Sequence, residues 1–461
     1  MTWTHSQKVS LLIVSTASFL GTFLASSVNI ALPTIGKQFE LNAVLLSWIV
    51  IAFLLSTSIV MLPMGKWADL HGIKKVFKWG ITGCAAGTVL CAVSPNGYFL
   101  IVSRFVQGCG YAMCACVGNA ILVSMFPPHQ KGSVLGISIA LIYAGLSMGP
   151  LLGGLLTEYL GWRSIFYIVA VIQIVDAIAA FIVLGKDKPV ENSTPVNFKG
   201  IFAYVAALIA LIYGSSIIPQ VKGWISIVAG AVLMLGFFLI ENRSKFPVLN
   251  VKLFTKNRLF AFSTLSALIN YSATYAIIFL LSLYLQKIKM LSPKEAGFIL
   301  LAQPFVMAIF SPIAGRLSDC KIEPRWLTTT GMALCALGLA AFAFLSESTS
   351  IYLIIGVLAV VGLGFALFSS PNMRTIMGSV EKSMYGLATS ITETMRSLGQ
   401  MISITISTLL ISMLLGSIQI AAVPNDAFMK LVSISFGIFA TICAVGVVCS
   451  YYRGNSNRSN I

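Results

Sequence analysis

Runs of about twenty apolar residues recur along the whole chain, and the short stretches between them collect the glycines, prolines and charges. Read against those breakers, the pattern predicts fourteen helices, at roughly 11–32, 44–64, 76–94, 98–122, 133–157, 163–184, 201–218, 224–241, 260–284, 296–314, 327–345, 351–369, 386–415 and 429–451. At 1.5 Å of rise per residue, such a run matches a hydrocarbon core about 30 Å thick. Only 10% of the 461 residues are charged and 57% are hydrophobic, with a mean hydropathy of +0.92. A soluble domain carries about 25% charged residues, so the expected fold class is an all-α polytopic membrane protein. The first run continues to Leu32, too long for a cleaved signal core, and is expected to be kept as the first span.

Charge changes the picture from a count of helices to a topology. The net charge of +16 is dispersed between the apolar runs rather than gathered in one basic arm, which argues against nucleic acid as a partner. With the N-terminus placed in the cytoplasm, 21 Lys and Arg fall in the termini and loops predicted inside and 7 in those predicted outside, and Arg104 and Arg396 lie within spans. That bias follows the positive-inside rule and predicts a multi-pass protein of the cell (plasma or inner) membrane with both termini cytoplasmic. Of nine cysteines, all but Cys320 lie in apolar runs. Their spacing fits neither a metal site nor a disulfide framework.

An internal repeat divides the chain. Gly65–Lys66–Trp67–Ala68–Asp69 ends the second run and Gly315–Arg316–Leu317–Ser318–Asp319 ends the tenth, each followed by basic residues. Two homologous six-helix halves, 1–190 and 259–461, with two extra spans in a linker at 191–258, account for this. Parallel repeats of that kind place a transporter's substrate site at the interface of the halves.

Several polar or small residues stand inside the runs, and each admits a bland and a functional reading. Gly145, Gly149, Gly153 and Gly154 share one face of the fifth span and Pro150 breaks its hydrogen bonding. Such a face lets helices approach closely in lipid. Arg104 must find backbone carbonyls or line a polar pathway, because a cation at that depth is costly. Asp176 and Glu393 lie well inside spans six and thirteen, where a carboxyl group can relay protons. Arg396, three residues after Glu393, can form an ion pair with it, either structural or part of coupling. Asn29, Gln107, Asn119, Asn270, Tyr271, Tyr275, Gln303 and Asn372 are each either a helix–helix hydrogen bond or part of a polar cavity. In the loop after span two, Gly65 is expected to permit close packing, Gly72 to permit the turn, and Lys74 and Lys75 to hold the loop inside. The three histidines are far apart, and no Gly-rich sequence ending in Lys-Ser/Thr suggests an ATP motor. Neither an enzyme, nor a metal, nor a cofactor is indicated.

Taken together these motifs resemble those of the major facilitator superfamily. "GKWADLHGIKK" at 65–75 resembles its loop between helices two and three, "RFVQGCG" at 104–110 its fourth-helix motif, and "GLSMGPLLGG" at 145–154 the fifth-helix signature of exporters. "WRSIFYI" (162–168), "FLLSLYLQ" (279–286) and "LSPKEAGFIL" (291–300) are similar to regions of the fourteen-helix drug:proton antiporters. The resemblance implies alternating access, a gate at Asp69 that latches the cytoplasmic side, and a proton-side role for Arg104. It also implies export of a small, amphipathic organic compound in exchange for protons, by a protein acting as a monomer in the bilayer. One departure stands out. Aligned on "VNIALP" (28–33), Leu24 occupies the place of the family's first-helix Asp, so coupling must run through other acids. That keeps open a carrier for a polar metabolite, in either direction, and, from another class, a receptor-like protein that does not transport.

Overall fold

The computed structural model describes residues 3–127, 131–185, 187, 197–244, 251–320, 322–380, 385–416 and 420–454. Among these, the first six helices are α1 (His5–Gln38), α2 (Ala43–His71), α3 (Ile73–Ala92), α4 (Gly97–Met125), α5 (Lys131–Tyr159) and α6 (Arg163–Val183). A hairpin follows, α7 (Phe198–Ser216) and α8 (Val221–Arg243), then the short α9 (Val251–Lys256). The remainder is α10 (Arg258–Thr274), α11 (Ala276–Lys287), α12 (Pro293–Leu300), α13 (Ala302–Cys320), α14 (Pro324–Ala343), α15 (Ile351–Gly378), α16 (Tyr385–Leu414) and α17 (Asn425–Tyr452).

Each of the fourteen predicted runs is helical. Among the described residues, thirteen segments are long and apolar enough to cross a membrane. The other run is α3, of 20 residues, whose opening turns carry Lys74, Lys75 and Lys78 and so dilute its hydropathy. It is nonetheless built into the first bundle, packed on α4 and α6. Two predicted spans are each divided into two helices. The tenth breaks at Leu301 because Pro304 has no N–H for the carbonyl of Leu300. The ninth breaks at Tyr275, where Ser403 Oγ accepts the N–H of Ala276 at 3.0 Å.

Side-chain caps start many of the helices. Thr4 and Gln7 form a capping box on α1, and Ser292 and Glu295 form one on α12, where Pro293 occupies the first turn. Asn42, Asn96 and Asn257 each accept a backbone N–H three residues on.

The helices group as two bundles with the hairpin between them. In the first, α1 packs on α5, α3 on α4 and α6, and α2 on α4; in the second, α14 packs on α15 and α17, α13 on α15, and α10 on α16 and α17. The hairpin's α7 touches α2 of one bundle and α16 of the other. Tyr204 donates to the carbonyl of Ser58 at 3.1 Å, and Ser412 donates to that of Ile218. The alternating helices place both described chain ends on one side, the termini side, and the loops after α1, α5 and α11 on the far side.

The bundles meet through α1 with α11, α5 with α12 and α13, and α2 with α16. At the far side the contact is backbone on backbone. A Cβ on Gly154 would lie 2.5 Å from the carbonyl oxygen of Pro293, and one on Gly297 would collide with that of Pro150. Hydrogen bonds reinforce this seal: Ser147 Oγ to the carbonyl of Pro304 at 3.1 Å, Gln286 Nε2 to that of Ile30 at 3.0 Å, and the N–H of Lys294 to Glu158 at 3.1 Å. Prolines prepare some of the acceptors. Pro33 leaves the carbonyl of Asn29 without its helical donor, and Ser282 of the other bundle supplies one at 2.9 Å. Pro150 frees the carbonyl of Leu146, which Ser26 reaches at 3.3 Å within the first bundle.

The seal is testable through its glycines. Gly297→Leu is expected to destabilise the protein by about 1–3 kcal/mol, the usual cost of overpacking. Gly236→Leu, at a position with nothing within 4 Å, is the control. Thermal melts of the purified variants check this, and indistinguishable melting temperatures would show that the α5–α12 contact is not close-packed.

Candidate functional site

At mid-depth between the bundles, α16 carries an ion pair: Arg396 Nη2 lies 2.6 Å from Glu393 Oε2, with the two side chains 17% and 16% exposed. Their i,i+3 spacing puts both on one helical face, as expected for that separation. Four tyrosines lie within electrostatic range of this pair, Tyr111 from α4, Tyr143 from α5, Tyr271 from α10 and Tyr275 at the break between α10 and α11. Tyr143 and Ser369 of α15 share a hydrogen bond of 2.8 Å that crosses from one bundle to the other. Tyr271 stands edge-on to Phe365, ring centres 5.3 Å apart. Tyr111 rests on Phe53 at 5.5 Å and over Gly21, where a Cβ would strike its ring. A charged pair bordered by half-buried phenols from both bundles can bind an amphipathic organic molecule by stacking and by hydrogen bonding.

A second polar assembly is built from helices of the first bundle, and its arginine lies within electrostatic range of Tyr275 of the second half. Arg104 is 1% exposed; its Nε donates to the carbonyl of Ile49 at 3.2 Å, its Nη1 donates to Gln107 Oε1, and its guanidinium lies 4.4 Å from the Phe53 ring centre. Gln107 Nε2 donates to Thr88 Oγ1 at 2.7 Å, and Thr88 lies 2.6 Å from Gln173 Oε1. One chain of hydrogen bonds thus joins α2, α4, α3 and α6. Arg104 thus donates to a backbone carbonyl and also heads a chain of polar side chains. Asp176 follows Gln173 by one helical turn, is 7% exposed, and has no hydrogen-bond partner for Oδ2 among the described residues. It lies near Cys114, within the first bundle rather than beside Glu393.

The other candidate residues are dispersed. Tyr275 stands at one helix break, against Asn29 and within electrostatic range of Arg104 and Arg396; Gln303 stands beside the other, its Oε1 lacking a partner among the described residues. Asn29 spends its amide N–H on the carbonyl of Ala25 at 2.9 Å. Asn270 is fully buried within the second bundle beside Cys335, and Asn119 is half-buried. Asn372 bridges structure: it donates to the carbonyl of Ser263 at 3.0 Å and accepts from Arg453 at 3.1 Å. Leu24 is 1% exposed in the apolar core. Eight cysteines are described and all are free; the side chain of Cys320 lies outside the described residues.

The fifth-helix glycines divide their work. Cβ atoms on Gly145, Gly149 and Gly153 would meet Thr22, Ser26 and Ser27 of α1, whereas Gly154 faces α12 of the other bundle. In the loop between α2 and α3, Gly72 takes φ +100°, a conformation that favours glycine, while Gly65 has nothing among the described residues within 4 Å of a Cβ. Against the described residues Gly65 therefore makes no close packing contact, contrary to the expectation. The side chains of Asp69 and Asp319 lie outside the described residues. The loop does hold a carboxylate, from elsewhere: Asp187, after α6, accepts the N–H groups of Lys74 and Lys75, both at 3.0 Å. Gly72 offers α3 no side-chain cap, and a Cβ there would strike Asp187. In the second copy of the motif, Gly315 faces Ser370 and Arg316 is exposed.

Sequence reasoning missed Tyr111, Tyr143, Thr88, Gln173 and Asp187. Thr88 and Gln173 are polar residues within runs, the same signal that singled out Gln107. The tyrosines carried none, in a chain where aromatics are frequent.

Comparison with known proteins agrees with this architecture. The chain matches the Major Facilitator Superfamily over residues 13–262 and 263–460. It is 29% identical over 444 residues to the riboflavin transporter RibZ of Clostridioides difficile, covering 96% of this chain and 97% of that one. It is 28% identical over 404 residues to the multidrug resistance protein Stp of Mycobacterium tuberculosis, covering 85% and 74% of the two chains. The drug efflux pump JefA of the same organism is 25% identical over 429 residues, 92% of this chain and 83% of that one. Among solved structures, a bacterial homologue of the lysosomal transporter Spinster, in an inward-facing and unoccupied conformation, superposes with a TM-score of 0.72 at 16% identity, over 98% of both chains. The peptide transporter POT gives 0.72 at 13% identity, over 98% and 99%. These two likenesses show the fold. The chain belongs to the Major Facilitator Superfamily: it is a multi-pass membrane transporter, not an enzyme.

The buried polar chain generates a prediction. Thr88→Val keeps the shape but leaves Gln107 Nε2 and Gln173 Oε1 unpaired, and is expected to cost about 1–3 kcal/mol. Thr82→Val, which removes only a bond to its own helix, is expected to cost less. Thermal melts that rank the two the other way would remove the chain's structural role.

Proposed function

We propose that this transporter exports a small, amphipathic organic compound in exchange for protons, as in the fourteen-helix drug:proton antiporters, by rocking its two halves about the Glu393–Arg396 site. The observation that carries this is the ion pair itself, largely buried between the bundles and bordered by Tyr111, Tyr143 and Tyr271. A proton taken by Glu393 removes the partner of Arg396, and a guanidinium left unpaired at this depth favours a new arrangement of α16. Substrate and proton thereby compete for one place. The relatives named for multidrug resistance and drug efflux support the substrate class.

The remaining assignments belong to the same proposal. Residues 1–190 and 259–461 are the moving units and 191–258 the inserted linker with its two spans. The protein acts as a monomer in the cell membrane with its termini in the cytoplasm, so that the sealed far side faces out and the state described is inward-facing. Asp176, at the end of the Arg104–Gln107–Thr88–Gln173 chain, is the second proton site. Asp69 and Asp187 steady the loop of residues 65–75, and Asp319 does so in the second half.

A second reading is a carrier for a polar, planar metabolite. It is favoured by Leu24, where the antiporters have Asp, and by the likeness to a riboflavin transporter over nearly the whole chain. The phenols around Glu393 suit stacking on a flat ring.

Proteoliposomes separate these readings. Under the proposal, Glu393→Gln abolishes substrate movement driven by a pH gradient and retains exchange of labelled for unlabelled compound, while Asp176→Asn lowers the proton-driven rate. A dye substrate and riboflavin are the two probes. Wild-type coupling in both variants would overturn the proton assignment, and movement of riboflavin alone would replace the drug-type substrate with the metabolite.

A further inference from the structure

The inserted hairpin does not close fully on the second bundle. Between α7 and α8 on one side and α9, α10 and α16 on the other lies a cavity of about 700 Å³. Leu211, Met234, Phe254, Phe262, Leu265 and Leu398 are among its walls, and among the described residues the only hydroxyl side chains lining it are Ser215 and Thr405. Leu265 and Phe238, which also line it, are 40% and 43% exposed, so the cavity opens on the surface that faces lipid. A substrate pocket of this volume carries several convergent polar groups, whereas the described walls here offer two hydroxyls among apolar side chains. A void among apolar walls forfeits dispersion contacts, which a hydrocarbon chain restores.

Its termini-side lip is basic. Arg258 lies with its guanidinium 5.5 Å from the ring centre of Phe262, itself a wall of the cavity, and donates to the carbonyl of Tyr452 at 2.9 Å. Lys256, two residues after the wall residue Phe254, is exposed, as are Arg258 and, at the end of α8, Arg243. We infer that this groove holds an acyl chain of an anionic phospholipid, with its headgroup phosphate at Lys256, Arg258 and Arg243. The chain fills the gap behind α16, because Met395 and Leu398 line the groove on the helix that bears Glu393 and Arg396. The lipid then wedges the hairpin against the helix that carries the ion pair. This inference does not depend on which compound is transported.

Native mass spectrometry of the full-length protein in detergent, titrated with phosphatidylglycerol or phosphatidylcholine of identical chains, tests it. Wild type is expected to bind phosphatidylglycerol more tightly. Lys256→Gln is expected to weaken phosphatidylglycerol about five-fold, the effect of one cation near an anionic lipid, and to leave phosphatidylcholine unchanged. Leu265→Trp, which fills the groove, is expected to weaken both lipids; Ala261→Leu is the milder filling if the Trp variant melts early. Equal binding of the two lipids that Lys256→Gln does not alter would overturn the headgroup assignment. A groove-filled variant that melts like wild type and binds both lipids like wild type would overturn the site.

Discussion

The structure turns on a contact that only glycine permits, the meeting of α5 and α12 at the far side. Gly154 and Gly297 let two backbones touch where any side chain would hold the bundles apart. Helices in lipid gain little from a hydrophobic drive and associate through such packing. The start of α12 is fixed before it docks, by the Ser292–Glu295 capping box and by Pro293 in the first turn. The hydroxyls and amides of Ser147, Ser282 and Gln286 then reach carbonyls across the interface, one of which Pro33 has already freed. Hydrogen bonds of this kind are worth about 0.6 kcal/mol on average in a membrane protein. A few of them sum to the scale on which a ligand or a proton can shift a two-state equilibrium.

The proposed cycle sets that seal against the ion pair on α16. Glu393 and Arg396 lie deeper than the seal and touch neither of its glycines, so any influence must pass through rigid helices. Two routes are built in. Tyr143 stands on α5, the helix that bears Gly154, and its bond to Ser369 crosses to the second bundle. The hairpin is tied to α2 through Tyr204 of α7 and to α16 through Ser412, which meets Ile218 in its turn. Under the proposal, movement of α16 bears on the seal through Tyr143, which lies in the field of Arg396, and on the hairpin, where the inferred lipid sits.

Much of this is legible in the sequence because membrane helices announce themselves by length and hydropathy. Each of the predicted runs is helical, and the glycine spacing of α5 marks a face that does pack closely. The reading fails where meaning depends on what a helix faces. Gly65 has the position of a packing glycine but meets none of the described residues closely. Asn372 sits in a span like a cavity residue, yet serves Ser263 and Arg453. Tyr111 and Tyr143 look like any interior aromatic until the bundles meet. Asp187 lies in a polar linker that gave no hint of capping a helix more than a hundred residues before it. Spacing along one helix was informative, as with Glu393 and Arg396; pairing between helices was not.

The central claim is that the state of Glu393 governs the far-side seal. The most direct measurement is the distance distribution between spin labels at Leu160 and Met290, exposed positions on the far-side ends of the two bundles, recorded across pH in lipid nanodiscs. The account predicts a short and a long population whose ratio changes with pH, and a single ratio at every pH in Glu393→Gln. A wild-type distribution that ignores pH, or a Glu393→Gln variant that follows wild type, would contradict it.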